Sequence, residues 1–380
     1  FIQLTPNTHD AEATVRAMAA TLVRRGPDDE GVWVDRGAGI ALGHRRLSVF
    51  DLSSGGHQPM ASADGRYVIA YNGEIYNHSE LRKALVSYPW RGHSDTEVLL
   101  AAITVWGVEQ TLKRSVGMFA FAVWDRERKR LILARDRLGE KPLYYGMQRD
   151  AFLFGSEMKA LRAHPAWVGE VDRSALAAYV RYAYVPAPMS IFKGIHKLSP
   201  GCWMEVDPAN PAVAVPQAYW SAQTVANAAR SQPFQGDASE AQAATLQLLR
   251  QAVQVQREAD VPLGTFMSGG IESSLITALL VEQSQQPVQS FTIGFREQGY
   301  DEAPFAAQIA RHMGTAHTEL YVTDAEARAV IPTLPDLYDE PFADSSQIPT
   351  YLVAKMARAQ VTVALSGDGG DELFGGYNRY

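Results

Sequence analysis

Short apolar runs separated by turns fill the first part of the chain, at residues 31–34, 40–42, 67–71, 118–124, 131–134 and 151–154. Runs of that length, bounded by Gly, Asp and Arg-Lys clusters, predict antiparallel strands. Two stretches break the rhythm, 11–25 and 96–106, where apolar residues recur at steps of three and four and predict helices. This order predicts an α+β domain, with antiparallel sheets packed against helices.

Between 183 and 240 the texture changes. Pro and Gly crowd together at Val185-Pro186-Ala187-Pro188, Leu198-Ser199-Pro200-Gly201, Asp207-Pro208-Ala209-Asn210-Pro211 and Gln232-Pro233-Phe234-Gln235-Gly236. Such density breaks regular elements and predicts a linker at 206–238 between a domain at 1–205 and another at 239–380. Ser239 with Gln242 predicts a capping box for a helix through Arg257. Beyond it strands are expected at 261–267, 288–295, 317–322 and 361–365, alternating with helices at 273–282, 303–312 and 348–358. Alternation of that kind predicts an α/β domain with a doubly wound parallel sheet.

Composition narrows the function classes. With 46% hydrophobic and 20% charged residues, the 380-residue chain is an ordinary globular protein and not a disordered one. A net charge of −7 gives no electrostatic footprint for nucleic acid or an anionic membrane. Cys202 is the single cysteine, which excludes an internal disulfide and a four-cysteine zinc site and fits a cytoplasmic protein. No run reaches the 18 or so apolar residues of a membrane span. The chain opens at Phe1 without Met and stops at Tyr380 just after a Gly-rich loop, and both ends read as cut.

In a doubly wound sheet, ligands bind beyond the carboxyl ends of the strands. One strand runs into Ser268-Gly269-Gly270-Ile271-Glu272-Ser273-Ser274 and a helix, turning backbone N–H groups, hydroxyls and a helix N-terminus toward one point, as a polyphosphate requires. Another runs into Ser366-Gly367-Asp368-Gly369-Gly370-Asp371-Glu372, whose carboxylates suit Mg²⁺. Read singly, the first is a tight turn with a serine N-cap and the second a surface turn. Together they outline a nucleotide site, and the absence of Gly-x-x-x-x-Gly-Lys-Ser/Thr excludes a P-loop.

These two loops, with Ser290-Phe291-Thr292-Ile293-Gly294-Phe295, resemble the ATP-pyrophosphatase signature of glutamine-hydrolysing asparagine synthetases. The resemblance implies that Ser268, Gly269, Gly270, Ser273, Ser274, Ser366 and Gly367 contact ATP, that Met267 and Ile293 line the adenine pocket, and that Glu272 and Asp371 ligate Mg²⁺. The family usually has Asp where this chain has Glu272, and the extra methylene shifts the carboxylate by about 1 Å, a displacement able to cost roughly 10²-fold where geometry sets the rate.

The first domain resembles the glutaminase domain of the same family through Arg24-Arg25-Gly26-Pro27-Asp28, His44-Arg45-Arg46-Leu47-Ser48, Tyr71-Asn72-Gly73-Glu74-Ile75-Tyr76-Asn77 and Ser94-Asp95-Thr96-Glu97. The resemblance implies an N-terminal-nucleophile-type fold in which Arg46 binds the glutamine carboxylate, Leu47 and Ser48 also contact glutamine, Glu74 and Asp95 take its amino group, and Asn72 and Gly73 form the oxyanion hole. Each also has a plainer reading. Asn72-Gly73 is a hairpin-turn signal, Ser94 with Glu97 is a capping box that would make Asp95 a helix-start acid, Arg46 is a solvated strand residue, and Arg24-Arg25 is a charge pair closing a helix.

Family glutaminases use an N-terminal Cys as both nucleophile and base. Phe1 stands here instead, so either a short Cys-containing segment is missing upstream or the glutaminase is inactive; Phe1-Ile2 resembles the family strand that follows the Cys, which favours the missing segment. The implied reaction uses ATP and Mg²⁺ to adenylate a carboxylate, which ammonia from glutamine then amidates. The carboxylate is aspartate or another acid such as a sugar uronic acid. Two rivals are an ammonia-dependent synthetase and a non-catalytic nucleotide-binding regulator. The family often forms homodimers.

Overall fold

The computed structural model describes residues 1–4, 10–295 and 301–377, so Asn378-Arg379-Tyr380 lies outside the described residues. The chain divides into two compact units, Phe1–Pro233 with Tyr338–Ala343, and Phe234–Leu337 with Asp344–Tyr380.

The strands of the first unit are β1 (Ile2–Gln3), β2 (Asp29–Asp35), β3 (Ile40–Arg46), β4 (Met60–Ala61), β5 (Tyr67–Ile75), β6 (Gly117–Asp125), β7 (Arg130–Arg135), β8 (Tyr144–Gln148), β9 (Ala151–Gly155), β10 (Ile195–Lys197), β11 (Cys202–Val206) and β12 (Gln217–Ala218). They form two antiparallel six-stranded sheets, ordered β10-β8-β9-β1-β3-β2 and β12-β11-β7-β6-β5-β4. Strand period two explains how they stack. Along β6, Ala120, Ala122 and Trp124 pack with Ile2, Ile40, Leu42 and Phe152 of the other sheet, making the layer between the sheets. The alternate residues Phe119, Phe121 and Val123 pack against Val98, Leu99 and Ile103 of the helix Asp95–Trp106. On the opposite outer face, Phe1, Ala41 and Leu153 meet Val15 and Met18 of the helix Ala11–Ala20. The result is a helix, sheet, sheet, helix stack, and β6 reads as almost continuously apolar because both its faces are covered.

Residues 206–238 are not featureless. They contain a 3₁₀ turn at Pro211–Val213, strand β12 and the helix Ala222–Ser231, capped by Ser221. The first unit also takes in Tyr338–Ala343, which nothing local in the sequence announces. Asp339 accepts hydrogen bonds from the backbone of Met158 (2.7 Å) and Lys159 (3.2 Å) at a helix start, and Glu340 accepts from Ile191 N (2.7 Å) and pairs with Lys197.

The second unit has a parallel sheet of β13 (Leu263–Phe266), β14 (Gln289–Phe295), β15 (Ala316–Val322) and β16 (Val363–Leu365), in the order β15-β14-β13-β16. Helices cover both faces: Thr265 hydrogen-bonds Thr277 of the helix Ile271–Glu282 (3.0 Å), while Phe266 and Phe291 pack with Val353 and Ala357 of the helix Gln347–Arg358. The expected α/β doubly wound arrangement is present. Its strand order reverses between β13 and β16, which sets the loops leaving these two strands side by side. One local expectation is corrected. The helix Ala238–Gln256 is capped by Asp237, whose carboxylate accepts from Glu240 N (2.9 Å) while Glu240 reaches back to Asp237 N (2.9 Å), so the capping box lies two residues before Ser239. Among the described residues no helix is long and apolar enough to cross a membrane.

Candidate active sites

The first unit encloses a cavity of about 380 Å³ lined by Phe1, Arg46, Leu47, Asn72, Gly73, Glu74 and Asp95, with Tyr71, Lys141 and Ser156. Arg46 ends β3 and is only 8% exposed. Its guanidinium donates to three backbone carbonyls, of Phe50 (3.0 Å), Asp51 (2.5 Å) and Ser53 (3.1 Å). Neutral acceptors hold the group in place without cancelling its charge, so it is a buried cation and not a solvated strand residue.

Asp95 opens its helix and is 6% exposed. The carboxylate accepts from Tyr71 Oη (2.7 Å), Ile75 N (3.0 Å) and Thr96 N (2.8 Å). Burial raises its pKa, opposed by the bonds from Ile75 and Tyr71. Only half of the capping box forms at this helix. Ser94 Oγ accepts from Glu97 N (3.2 Å), but the Glu97 carboxylate turns to Arg91 N (2.8 Å) and Gly92 N (2.9 Å). Glu74 points into the same cavity and accepts no side-chain hydrogen bond from a described residue. Burial, then the charge of Asp95, pushes its pKa up to about 7, and Lys141 works the other way. Two adjacent carboxylates of which one ionises reluctantly make a seat for a cation.

Asn72 and Gly73 do not form a hairpin turn. Both lie within β5, in register with Ala120 and Phe119 of β6, where a long ladder overrides the local turn signal. Any side chain at Gly73 would come 2.2 Å from Met118 O, so the strands approach as closely as glycine permits. Asn72 Nδ2 donates to Ser156 Oγ (3.4 Å). Ser48 is the one glutamine-site residue outside the cavity lining; its backbone N–H is bound to Asp28 (2.8 Å). Arg25 lines the cavity and pairs with Glu157 (2.5 Å), beyond the end of its helix at Ala20. Phe1 N donates to Ala41 O (2.8 Å).

The sequence reading passed over Lys141, Tyr71 and Ser156. Lys141 sits in a Gly-Glu-Lys-Pro run that signals only a turn, and Ser156 merely follows the apolar run of β9.

In the second unit, β13 gives way to Ser268, Gly269 and Gly270, and the helix Ile271–Glu282 begins at N-cap Gly270 with no side-chain cap. The expected serine cap is absent, and its first backbone donors stay open. The hydroxyls of Ser268 and Ser273 bond each other (2.9 Å), Gly270 N donates to Ser268 Oγ (3.2 Å), and Ser274 Oγ donates to Gly270 O (2.6 Å). These serines brace the loop, leaving the backbone to face an anion. The loop after β16 packs directly on it. A side chain at Gly367 would lie 2.7 Å from Ser273 N, and one at Gly370 2.6 Å from Glu272 Cγ. Ser366 Oγ donates to Asp368 (3.0 Å).

The close packing brings Glu272 and Asp371 together. The Asp371 pKa is raised by desolvation, then by the charges of Glu272 and Glu372 and a hydrogen bond with Glu272. Among the described residues no group of three or more His, Cys, Asp or Glu converges. Two carboxylates beside open backbone donors nevertheless fit Mg²⁺, which is commonly held by one or two carboxylates plus substrate phosphates. Met267 is buried against Ala306 and Ala310, and Ile293 is half-buried in β14, in register with Leu320 of β15.

Comparison with known proteins agrees with this geometry. The glutamine amidotransferase domain family matches residues 2–220, and the asparagine synthase family matches residues 244–380. Glutamine-hydrolysing asparagine synthetase 1 of Bacillus subtilis is 36% identical over 98% of this chain and 57% of its own length. A putative glutamine-hydrolysing asparagine synthetase 2 of Methanocaldococcus jannaschii is 35% identical over 96% of this chain and 72% of its own. An amidase of Gibberella zeae, chry2, is 28% identical over 98% of the chain and 57% of its own length. The chain thus spans little more than half of the first of these relatives. With both halves matched in order, the chain belongs to the glutamine-hydrolysing asparagine synthetase family.

Proposed function

We propose that this chain carries the glutaminase and ATP-binding parts of a cytoplasmic amidotransferase that converts aspartate to asparagine with ammonia from glutamine. The observation that carries the reading is the cavity, where a buried cation, Arg46, and two carboxylates, Glu74 and Asp95, stand around Asn72 and Gly73. That set complements an α-amino acid bearing a side-chain amide: carboxylate to Arg46, ammonium to Glu74 and Asp95, amide carbonyl to Asn72 Nδ2 and Gly73 N.

Amide cleavage needs a nucleophile. Cys202 is unsuited, since burial in β11 raises its thiol pKa. The pairing of β1 supports a place for one. Ile2 lies opposite Ile40 and Phe152, so a residue two places ahead of Phe1 falls opposite Gly43 of β3 and Gly155 of β9, both in the cavity wall. A Cys there gives its thiol proton to its own α-amine and adds to the amide carbon, Asn72 and Gly73 hold the oxyanion, the α-ammonium returns the proton to the departing nitrogen so that ammonia leaves, and water hydrolyses the thioester to glutamate and frees the thiol.

In the second unit the aspartate carboxylate attacks the α-phosphorus of ATP, giving acyl-adenylate and pyrophosphate; ammonia then displaces AMP and loses a proton. Mg²⁺ held by Glu272 and Asp371 supplies neutralisation of the phosphate charge. The open donors after Gly270 bind the phosphates, and Gly367 lets the second loop close on the first.

The test is a chain with Cys-Gly placed ahead of Phe1. It hydrolyses L-glutamine, whereas the chain opening at Phe1 binds L-glutamine without turnover. Failure of both to bind would falsify the glutaminase assignment. The substrate is read from ATP–pyrophosphate exchange in the full-length protein, where exchange with a uronic acid and none with aspartate replaces the aspartate reading.

A further inference from the structure

Of the cavity's basic side chains without a use in the proposed chemistry, Arg25 and Arg45 are paired with Glu157 and Glu30, and Lys141 is not. Lys141 lines the cavity, half-buried, and its Nζ forms no hydrogen bond or ion pair with any described residue. Its backbone is pinned with unusual care. Buried Asp136 accepts from the N–H groups of Leu138 (3.1 Å), Glu140 (2.9 Å) and Lys141 (2.9 Å), and Arg135 donates to Lys141 O (2.7 Å) and Gly139 O (2.6 Å). Two adjacent charged residues thus fix the loop while the ammonium itself is left to the cavity. Glu74, across that cavity, is likewise unpartnered.

We propose that Lys141 is a positioning residue for the amino-acid substrate, its ammonium drawing the Glu74 carboxylate toward the charged form that receives the substrate α-ammonium. This rests on the glutamine reading of the cavity.

The surroundings of both groups agree. Facing Glu74 are Asp95 from its helix, Tyr71 from β5 and Tyr76 just after it, none of them cationic, so Lys141 is the opposing charge that acts on it. Lys141 responds most to burial, which lowers its pKa, and then to Glu74, which raises it; Arg25, Glu140 and Asp136 act less. His44 and Arg46 also line the cavity, but burial lowers the His44 pKa to about 4 and leaves it neutral, and Arg46 is held by the carbonyls of its own loop, where the glutamine reading assigns it the substrate carboxylate. Without Lys141, Glu74 is a buried carboxyl beside Asp95 that holds its proton more tightly still, and a neutral acid is a poor partner for an ammonium.

The experiment compares this chain with Lys141→Met and Lys141→Arg. The Glu74 carboxyl is first followed by ¹³C titration without ligand and assigned with Glu74→Gln. Lys141→Met raises its midpoint by about one unit and Lys141→Arg does not; an unmoved midpoint overturns the inference even if glutamine binds. Calorimetric titration from pH 6 to 9 then reads the effect on ligand. Lys141→Met weakens L-glutamine by about fivefold at pH 7, the deficit closing toward pH 9, while glutaramate, which lacks the α-ammonium, binds all three proteins alike. Equal weakening of both ligands would mean that Lys141 touches the ligand directly, overturning its action through Glu74. If L-glutamine binds none of the proteins while the Glu74 midpoint shifts, the charge coupling stands and the glutamine reading fails.

Discussion

In the first unit the charges around the cavity are set before any ligand arrives: Arg46 is tied to three carbonyls and Asp95 to three donors, and both are almost wholly buried. In the second, Glu272 and Asp371 stand partly exposed at loop ends, near enough to repel, with backbone donors beside them that nothing caps. The first arrangement spends folding energy to fix an orientation, as a site must if it reads a small zwitterion. The second stores little in the fold and waits for a cation and phosphates to complete it. Removing the charge of Arg46 or Asp95 should therefore damage structure and binding together in the first unit, and removing one in the second should damage binding alone.

Arg46→Met is the severest break. It strands the carbonyls of Phe50, Asp51 and Ser53 and removes the carboxylate clamp. We expect unfolding free energy to fall by about 3 kcal/mol in denaturant titration and L-glutamine affinity to fall by roughly 100-fold in calorimetry. A variant that keeps full stability would show that the three carbonyl bonds do not anchor this loop.

Asp371→Asn makes the contrasting case. Loss of one of two repelling carboxylates leaves the melting temperature unchanged or slightly higher, while Mg²⁺-dependent ATP binding falls by roughly tenfold or more. Equal loss of ATP binding with and without Mg²⁺ would remove this pair from metal binding. Glu272→Asp probes the same place from the other side. Gly370 packs against the Glu272 stem, so the shorter acid leaves a gap there while drawing the carboxylate back toward its helix.

Much of this contrast was legible beforehand, for an identifiable reason. Strand and helix periods report burial directly, and β6 shows it, with alternate residues feeding two cores. The pairing of Glu272 with Asp371 is implied by the family resemblance of their loops, and the strand order explains it, because loops after neighbouring strands at a reversal lie together. Signals read within a few residues fared worse. Asn72-Gly73 resembled a turn until the β5–β6 ladder carried it through, and Ser239 resembled a cap until Asp237, two residues earlier, took the role. What no local reading reaches is a role defined by distant partners. Lys141 becomes notable only when Glu74 is seen across the cavity, and Tyr338–Ala343 only when Asp339 meets the helix starting at Met158.

Glu74→Gln sharpens the comparison through pH. The folded-state pKa is raised from 4.5 to about 7, so the folded chain holds a proton that the unfolded chain releases. The associated stability is fully present below about pH 4.5 and is lost as pH rises to 7, a difference of about 3 kcal/mol. Removing the titrating group recovers part of that loss above pH 7. Glu74→Gln is therefore more stable than the parent at pH 8 in denaturant titration, equal to it near pH 4.5, and a weaker binder of L-glutamine throughout. A stability gain independent of pH would assign the effect to packing.

The smallest expected change tests how far the fixing of the first site extends. Asn72 has two amide hydrogens; Ser156 takes one through a long 3.4 Å bond, and the other is free for the oxyanion. Ser156→Ala leaves Asn72 within β5, where the ladder with β6 still holds its backbone, so only the side-chain rotamer loosens. At about 0.5–1 kcal/mol for such a bond, turnover in the Cys-Gly-extended chain should fall about threefold with KM for glutamine unchanged, because the oxyanion forms only in the transition state. A matching rise in KM would place Asn72 on the bound amide already in the ground state. The cavity would then be rigid toward substrate and transition state alike, and the contrast with the loops of the second unit would be sharper than the burial of Arg46 and Asp95 alone implies.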